Sequence, residues 1–194
     1  MSFFFDIIIP VEDMRENLTI ILISGKARHG KTTFAKMLKE AHALIGRKAV
    51  ATSYAKYLKL YARELTDWNG ENETKPRNFL QNLGTTIRKD LDKPEFFVER
   101  LNDDIDVYKL FVETVIIDDA RLPLEIEYFK TKYHESVKTL RIVRPNFESD
   151  LNENERFHEA ELKLDNYDSY DYTIINDGSL EDLRAKAHEL IERI

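Results

Sequence analysis

TIILISGKARHGKTTFAKMLKEAHALIG, residues 19–46, is the stretch on which the fold turns. Thr19 to Ser24 is a continuous apolar run too short for a helix, the pattern of a central strand buried on both faces. From Thr32 onward Phe34, Met37, Leu38, Ala41, Leu44 and Ile45 recur at helical spacing until Gly46, a C-terminal stop. Between strand and helix, Gly25-Lys26-Ala27-Arg28-His29-Gly30-Lys31-Thr32 matches G-x-x-x-x-G-K-[ST] in full, in the strand-to-helix context that motif requires. Glycines let such a loop curl so that successive N–H groups face one polyphosphate at the positive end of the helix dipole. The expected nucleotide contacts are Gly25, Ala27, His29 and Gly30, with Lys31 reaching the β- and γ-phosphates, the Thr32 hydroxyl on Mg²⁺ and Thr33 near the α-phosphate.

Similar units follow outward from this one. Lys48 to Ser53 predicts a strand and Tyr54 to Leu65 a helix, with a polar loop from Thr66 to Lys75. Asn78 to Asp90 and Glu95 to Asp103 predict two helices separated at Pro94, which blocks helix at the residue before it. Thr114 to Ile117, Lys138 to Val143 and Tyr172 to Ile175 predict strands, with a helix from Pro123 to about Tyr133 between the first two. Ser179 is an N-cap for a final helix Leu180 to Ile194, with Asp182 completing an acidic capping box. Strands alternating with helices predict an α/β domain of three layers, a five-stranded mainly parallel sheet flanked by helices, spanning 1–194 without a linker or repeat.

Asp118 and Asp119 follow the apolar strand TVII, and the carboxyl edge of a parallel sheet is where ligands bind. One of the two is expected to hold magnesium through water, and nearby Arg121 strengthens the site. His42, His134 and His188 have no companions at metal spacing and are expected as solvated residues on helix surfaces. No serine sits in a nucleophile elbow, so hydrolase chemistry lacks support.

Composition limits the alternatives. With 42% hydrophobic and 34% charged residues, 11 Phe and 9 Tyr against 6 Gly and 5 Pro, the 194-residue chain is of ordinary globular type. It has no cysteine, which excludes disulfides, thiolate metal sites and a cysteine nucleophile and points to a cytoplasmic setting. Met1 to Pro10 contains an apolar run, but Asp6 interrupts it and no basic residue precedes it, so neither a signal peptide nor a membrane span is expected. It is expected instead as a short strand or an anchoring segment. The formal charge of -7 resides in Glu148 to Asp171, which holds nine acids and two bases. No basic field suits a nucleic-acid backbone, whereas a small phosphorylated ligand needs only a few cations at one point.

Four further pieces resemble the P-loop nucleoside monophosphate kinase superfamily, and in it the bacteriophage-type deoxynucleoside monophosphate kinases. Leu80-Gln81-Asn82-Leu83-Gly84-Thr85 with Arg88 is similar to that family's LQ-x-x-G-T segment with a following Arg, continued by Pro94-Glu95-Phe96-Phe97-Val98. Asp119-Ala120-Arg121-Leu122-Pro123-Leu124-Glu125 resembles D-V-R-F-P-N-E. His158-Glu159-Ala160-Glu161 with Leu164-Asp165 resembles H-x-S-E-x-x-L-D, and Asn176-Asp177-Gly178-Ser179-Leu180 the closing N-D-G-T-L. Ala160 and Leu124 depart from the pattern, replacing a serine and an asparagine.

The resemblance implies a P-loop kinase fold, with an acceptor-binding helical region at about 54–106 and a lid at about 144–165. It implies ATP-dependent phosphoryl transfer to a nucleoside monophosphate, with ATP and Mg²⁺ as cofactors. Arg88 and Arg121 are expected to clamp the acceptor phosphate, since guanidinium forks match phosphate oxygens in two-point contact. Tyr54, Lys56, Lys59, Asp119 and Glu161 are expected beside the acceptor, although Tyr54 also fits a core position with exposed lysines after it. Arg144 and Arg156 are expected to approach from the lid on closure. Animal-type phosphomevalonate kinases share the layout, and a dephospho-coenzyme A kinase or a nucleotide-hydrolysing regulatory protein is a further alternative. Gln81 favours a nucleotide, because an amide can recognise a base edge. The expected partners are small nucleotides, not nucleic acid or membrane, with a homodimer left open.

Overall fold

The computed structural model describes residues 18–71, 73–147 and 162–194. Met1 to Pro10 and much of the expected lid lie outside them. The chain forms β1 (Thr19–Ser24), α1 (Lys31–Leu44), β2 (Ala49–Thr52), α2 (Ala55–Leu65) and α3 (Arg77–Thr85), which widens into a π-turn at Thr86–Asp90. It continues with α4 (Phe96–Tyr108), β3 (Thr114–Ala120), α5 (Pro123–Tyr133), β4 (Val137–Val143), β5 (Tyr172–Ile175) and α6 (Leu180–Ile191). The strands lie in the order β2-β3-β1-β4-β5, and all four pairings are parallel.

β1 alternates between two cores. Ile20 and Leu22, with Val115 and Ile117 of β3, face Val98, Leu101 and Ile105 of α4 and Ile126 and Phe129 of α5. Ile21 and Ile23, with Ile116, Leu140 and Ile142, face Phe34 and Leu38 of α1 and Leu183 and Leu190 of α6. Each such side chain contributes about 1.5–3 kcal/mol when fully buried. The expected three layers are therefore present, and the carboxyl ends of β1, β3 and β4 meet the start of α1.

Differences from the sequence expectation have local causes. β3 runs three residues past Ile117, because Ala120 still pairs with Ser24 across a register shift. α4 extends a turn beyond Asp103, since Ile105 continues the buried stripe of Val98 and Leu101. His42 corrects an expectation: it is 2% exposed rather than solvated, because it lies four residues after Leu38 on the packed face of α1. Its Nδ1–H donates to Leu38 O at 2.8 Å, and burial holds its pKa below the usual histidine value. At α6, Ser179 Oγ accepts the Asp182 N–H at 3.2 Å while Asp182 accepts the Ser179 N–H at 2.8 Å, closing the expected capping box.

Phe129 is fully buried and stacks on Tyr133 with ring centroids 5.9 Å apart. Phe129→Ala is expected to cost about 3–5 kcal/mol in urea unfolding, by opening a cavity under the sheet.

Candidate active site

The loop between β1 and α1 takes a shape open only to its sequence. Gly25 has φ 141°, and a Cβ there would lie 2.4 Å from Ile142 O, so a side chain would force the loop away from β4. Gly30 has φ 100°, and its missing side chain leaves room for the Asn176 amide, which donates to His29 O at 3.0 Å. The late Asn-Asp-Gly segment thus braces the phosphate-binding loop. Lys31 opens α1 and folds back, its ammonium donating to Gly25 O at 2.6 Å and Lys26 O at 2.8 Å. Thr32 and Thr33 are exposed on the first turn. His29 leans on the end of β4, where its Nδ1 accepts the Arg144 N–H at 3.1 Å.

Asp118 and Asp119 fall on opposite faces of β3. Asp119 lies on the face of Val115 and Ile117, and both of its oxygens accept amides at the start of α2: Tyr54 N–H at 2.8 Å and Ala55 N–H at 2.9 Å. Burial, and secondarily Asp118, push its carboxyl above the ordinary range, against the pull of the two amides. Tyr54 is 4% exposed and its hydroxyl donates to Glu125 O at 2.9 Å. It is a core residue whose edge also lines a cavity.

That cavity lies between α2, α3, the π-turn and the end of β3, and Ala27 of the phosphate loop reaches its rim. It brings together Tyr54, Gln81, Arg88, Asp119 and Arg121 from the expected site. The π-turn turns Arg88 toward it, where the guanidinium passes close to Gly84. Lys56 is not brought in: it pairs with Asp104 and donates to Tyr108 Oη at 3.0 Å, so it faces α4 instead. Lys59, expected beside it at the start of α2, does line the cavity, together with Lys75 and Arg77, which sequence reasoning missed. Lys75 and Arg77 flank Pro76 in a polar stretch with no periodicity, and their only signal was two cations just before the Leu80-Gln81 segment.

Glu125 closes the floor. It is 7% exposed, and its Oε2 accepts the N–H groups of Arg121 at 2.6 Å and Leu122 at 3.0 Å, fixing the Asp-x-Arg turn. Burial, reinforced by Asp119, pushes its carboxyl up to about 7.

A second cavity lies against the phosphate loop, lined by Gly25, Lys26 and His29 and by Arg121, Arg141 and Arg144. Arg121 belongs to both cavities. The Arg144 guanidinium stacks 4.4 Å from the Phe147 ring centroid, and Lys26 pairs with Asp165 at 3.0 Å, tying the loop to the end of the stretch expected as a lid. Tyr170 Oη is buried here without a hydrogen-bond partner among the described residues. Arg156 and Glu161 lie outside the described residues. Among the described residues no group of three metal-ligating acids or histidines occurs, and no helix is long and apolar enough to cross a membrane.

The family model for deoxynucleotide monophosphate kinase matches residues 43–187, about three quarters of the chain. The chain belongs to the deoxynucleotide monophosphate kinase family. The match runs from the end of α1 into α6 and so includes every side chain of the first cavity except Ala27. The phosphate loop precedes it and stands on its own motif. No curated protein sequence matches significantly. Among solved structures, an APS kinase from Mycobacterium tuberculosis in complex with AMPPNP and APS is similar over 91% of this chain and 98% of its own, with TM-score 0.56 and 10% identity. A sugar kinase from Janibacter sp. HTCC2649 covers 90% of this chain and 95% of its own, with TM-score 0.53 and 16% identity. These likenesses show the fold, and family and fold together make the protein a P-loop small-molecule kinase.

Glu125 generates a pH signature. Its folded pKa, about 7, lies above the ordinary 4.5, so the folded state holds the extra proton between the two values. Its contribution is present below 4.5 and is lost as pH rises through about 7. Glu125→Gln, which keeps the accepting oxygen, is expected to flatten the fall in Tm across that window. An unchanged pH slope would remove Glu125 as its source.

Proposed function

We propose that the protein transfers the γ-phosphoryl group of ATP to the phosphate of a deoxynucleoside monophosphate, giving the diphosphate. The observation that carries this reading is Arg121, shared between the cavity that holds Gln81 and Arg88 and the cavity against the phosphate loop. From there Arg121 would reach both an acceptor phosphate and the phosphoryl group in transfer. The APS kinase of the same fold was solved with AMPPNP, which supports ATP as donor. Most of the first cavity's lining comes from 54–106, in support of that stretch as the acceptor-binding region.

Phosphoryl transfer asks the protein for alignment and charge stabilisation more than for covalent chemistry. Gly25, Ala27, His29 and Gly30 would present the loop to the donor's phosphates. Lys31 would swing from the loop carbonyls to the β- and γ-oxygens, and Thr33 would meet the α-phosphate. Arg88 and Arg121 would hold the acceptor phosphate in line, and Gln81 would hydrogen-bond a base edge. Arg144, with Arg156 from the lid, would complete the charge around the transferred group and exclude water. Tyr54 and Asp119 serve the acceptor indirectly, by anchoring the start of α2.

Magnesium fits the donor set: a hydroxyl and a carboxylate, both hard oxygen ligands, leave the remaining positions to water and phosphate. Both Asp119 oxygens are committed to α2 amides, whereas Asp118 lies on the face of β3 that meets α1, the helix carrying Thr32. Thr32 and Asp118 would therefore hold the ion, which when bound neutralises charge on the β- and γ-oxygens.

An ADP-release assay over the deoxynucleoside and nucleoside monophosphates, with phosphomevalonate and dephospho-coenzyme A included, tests the reading. Turnover with phosphomevalonate alone would overturn it. Lys31→Ala is expected to lower turnover by roughly 10²-fold or more with the fold intact. For Arg121→Ala, kcat/KM for the monophosphate should fall far more than ATP affinity; equal losses would take Arg121 out of the acceptor clamp. Gln81→Leu should strip about 1–3 kcal/mol from the preferred monophosphate and little from the others, because it strands polar atoms of one base.

A further inference from the structure

The described residues of the polar loop from Thr66 to Lys75 are held by more side-chain hydrogen bonds than a plain connection needs. Thr66 Oγ1 donates to Ala62 O at 2.6 Å and accepts the Trp68 N–H at 3.2 Å, extending the end of α2. Asn69 Oδ1 accepts the Glu71 N–H at 3.0 Å and the Thr74 hydroxyl at 3.4 Å, while the Trp68 indole donates to Glu71 O at 2.9 Å. Pro76 then restricts the residue before it to extended backbone. That residue is Lys75, half-buried in the wall of the first cavity. A loop braced by side-chain bonds that ends by burying a lysine among other cations demands an explanation beyond connection. Holding like charges together in a part-buried cavity is unfavourable until an anion arrives.

We propose that Lys75 is an acceptor-phosphate ligand, delivered by this braced loop to act beside Arg121. The proposal rests on the monophosphate-kinase reading above and adds to it a residue outside every motif that led there.

The surroundings of Lys75 specify how it would behave. Lys59 from α2, Arg77 from the start of α3 and Arg121 from the end of β3 all repel its charge, and Asp119 of β3 offsets only part of this. Among the described residues no carboxylate lies within ion-pair distance of its ammonium. Burial first, then these three cations, hold its pKa down to about 8 rather than 10.5. A dianionic phosphate beside Lys75 opposes this repulsion and favours its charged form. Acceptor binding then takes up a proton whenever the free enzyme's Lys75 is neutral. From about pH 7.5 upward, where the acceptor phosphate is dianionic and Glu125 on the cavity floor is already largely ionised, the acceptor KM should rise as pH passes 8, while the KM for ATP should not follow.

The test is steady-state kinetics of the 194-residue chain with the accepted monophosphate, from about pH 6 to about pH 9, on wild type, Lys75→Met and Lys75→Arg. Lys75→Met is expected to raise the acceptor KM by about tenfold or more, with the ATP KM within about twofold and the Tm retained. Lys75→Arg, which keeps its charge across the range, should hold a low acceptor KM and abolish its rise above pH 8. An acceptor KM unchanged in Lys75→Met, or the same alkaline rise in Lys75→Arg as in wild type, would overturn the proposal. Should wild type phosphorylate no monophosphate, the functional reading fails by itself. Calorimetry with inorganic phosphate then decides on Lys75: weaker binding by Lys75→Met upholds it as an anion ligand, and equal binding removes it.

Discussion

Burial of β1 on both faces is the constraint from which the rest follows. Ile20, Ile21, Leu22 and Ile23 are all at 0–1% exposure, and alternate side chains must find a helix layer on each side of the sheet. α1 and α6 supply one layer, α4 and α5 the other. Because each crossover in a parallel sheet returns to the same starting edge, the strands all finish at one edge, where the phosphate loop, the Asp118-Asp119 pair and Arg144 converge. The crevice is a by-product of packing before it is a place for chemistry.

At that edge, short-range contacts lock large elements together. Gly25 lets the loop approach Ile142 O, Asn176 holds His29 O, and Asp119 grips the start of α2 through two amides. Glu125 does the same for the Arg121 turn. The two carboxyl groups thus fix the relative positions of α2, which carries Lys59, and of Arg121, so these two cations of the first cavity are placed by the acids beneath them. The raised carboxyl pKa values of Asp119 and Glu125 follow from that burial, and the lowered pKa of Lys75 reflects the same confined space seen from the cationic side.

Parts of this site are legible without coordinates because they depend on local rules. The glycine spacing of Gly25 to Thr32 dictates its own curl, and Gln81, Arg88 and Arg121 sit in motifs of fixed internal spacing. That Asp118 and Asp119 fall on opposite faces follows from strand alternation, although the sequence left open which of them faces the phosphate loop. His42 escaped because a lone histidine suggests solvent, although its spacing from Phe34 and Leu38 already put it on the packed stripe.

What the sequence by itself determined is whatever is specified within one element and its flanking turns: the strand–loop–helix phosphate motif, the order of α and β units, the capping box at Ser179, and the family resemblance. Only the tertiary structure decided which of Lys56 and Lys59, three positions apart on α2, turns to α4 and which to the cavity. It alone brought Lys75 and Arg77 beside Arg121, and placed Arg121 in both cavities. Those relations join residues far apart in the chain through the packing of α2 and α3 over the end of β3, and no periodicity along a single element encodes the distance between two elements.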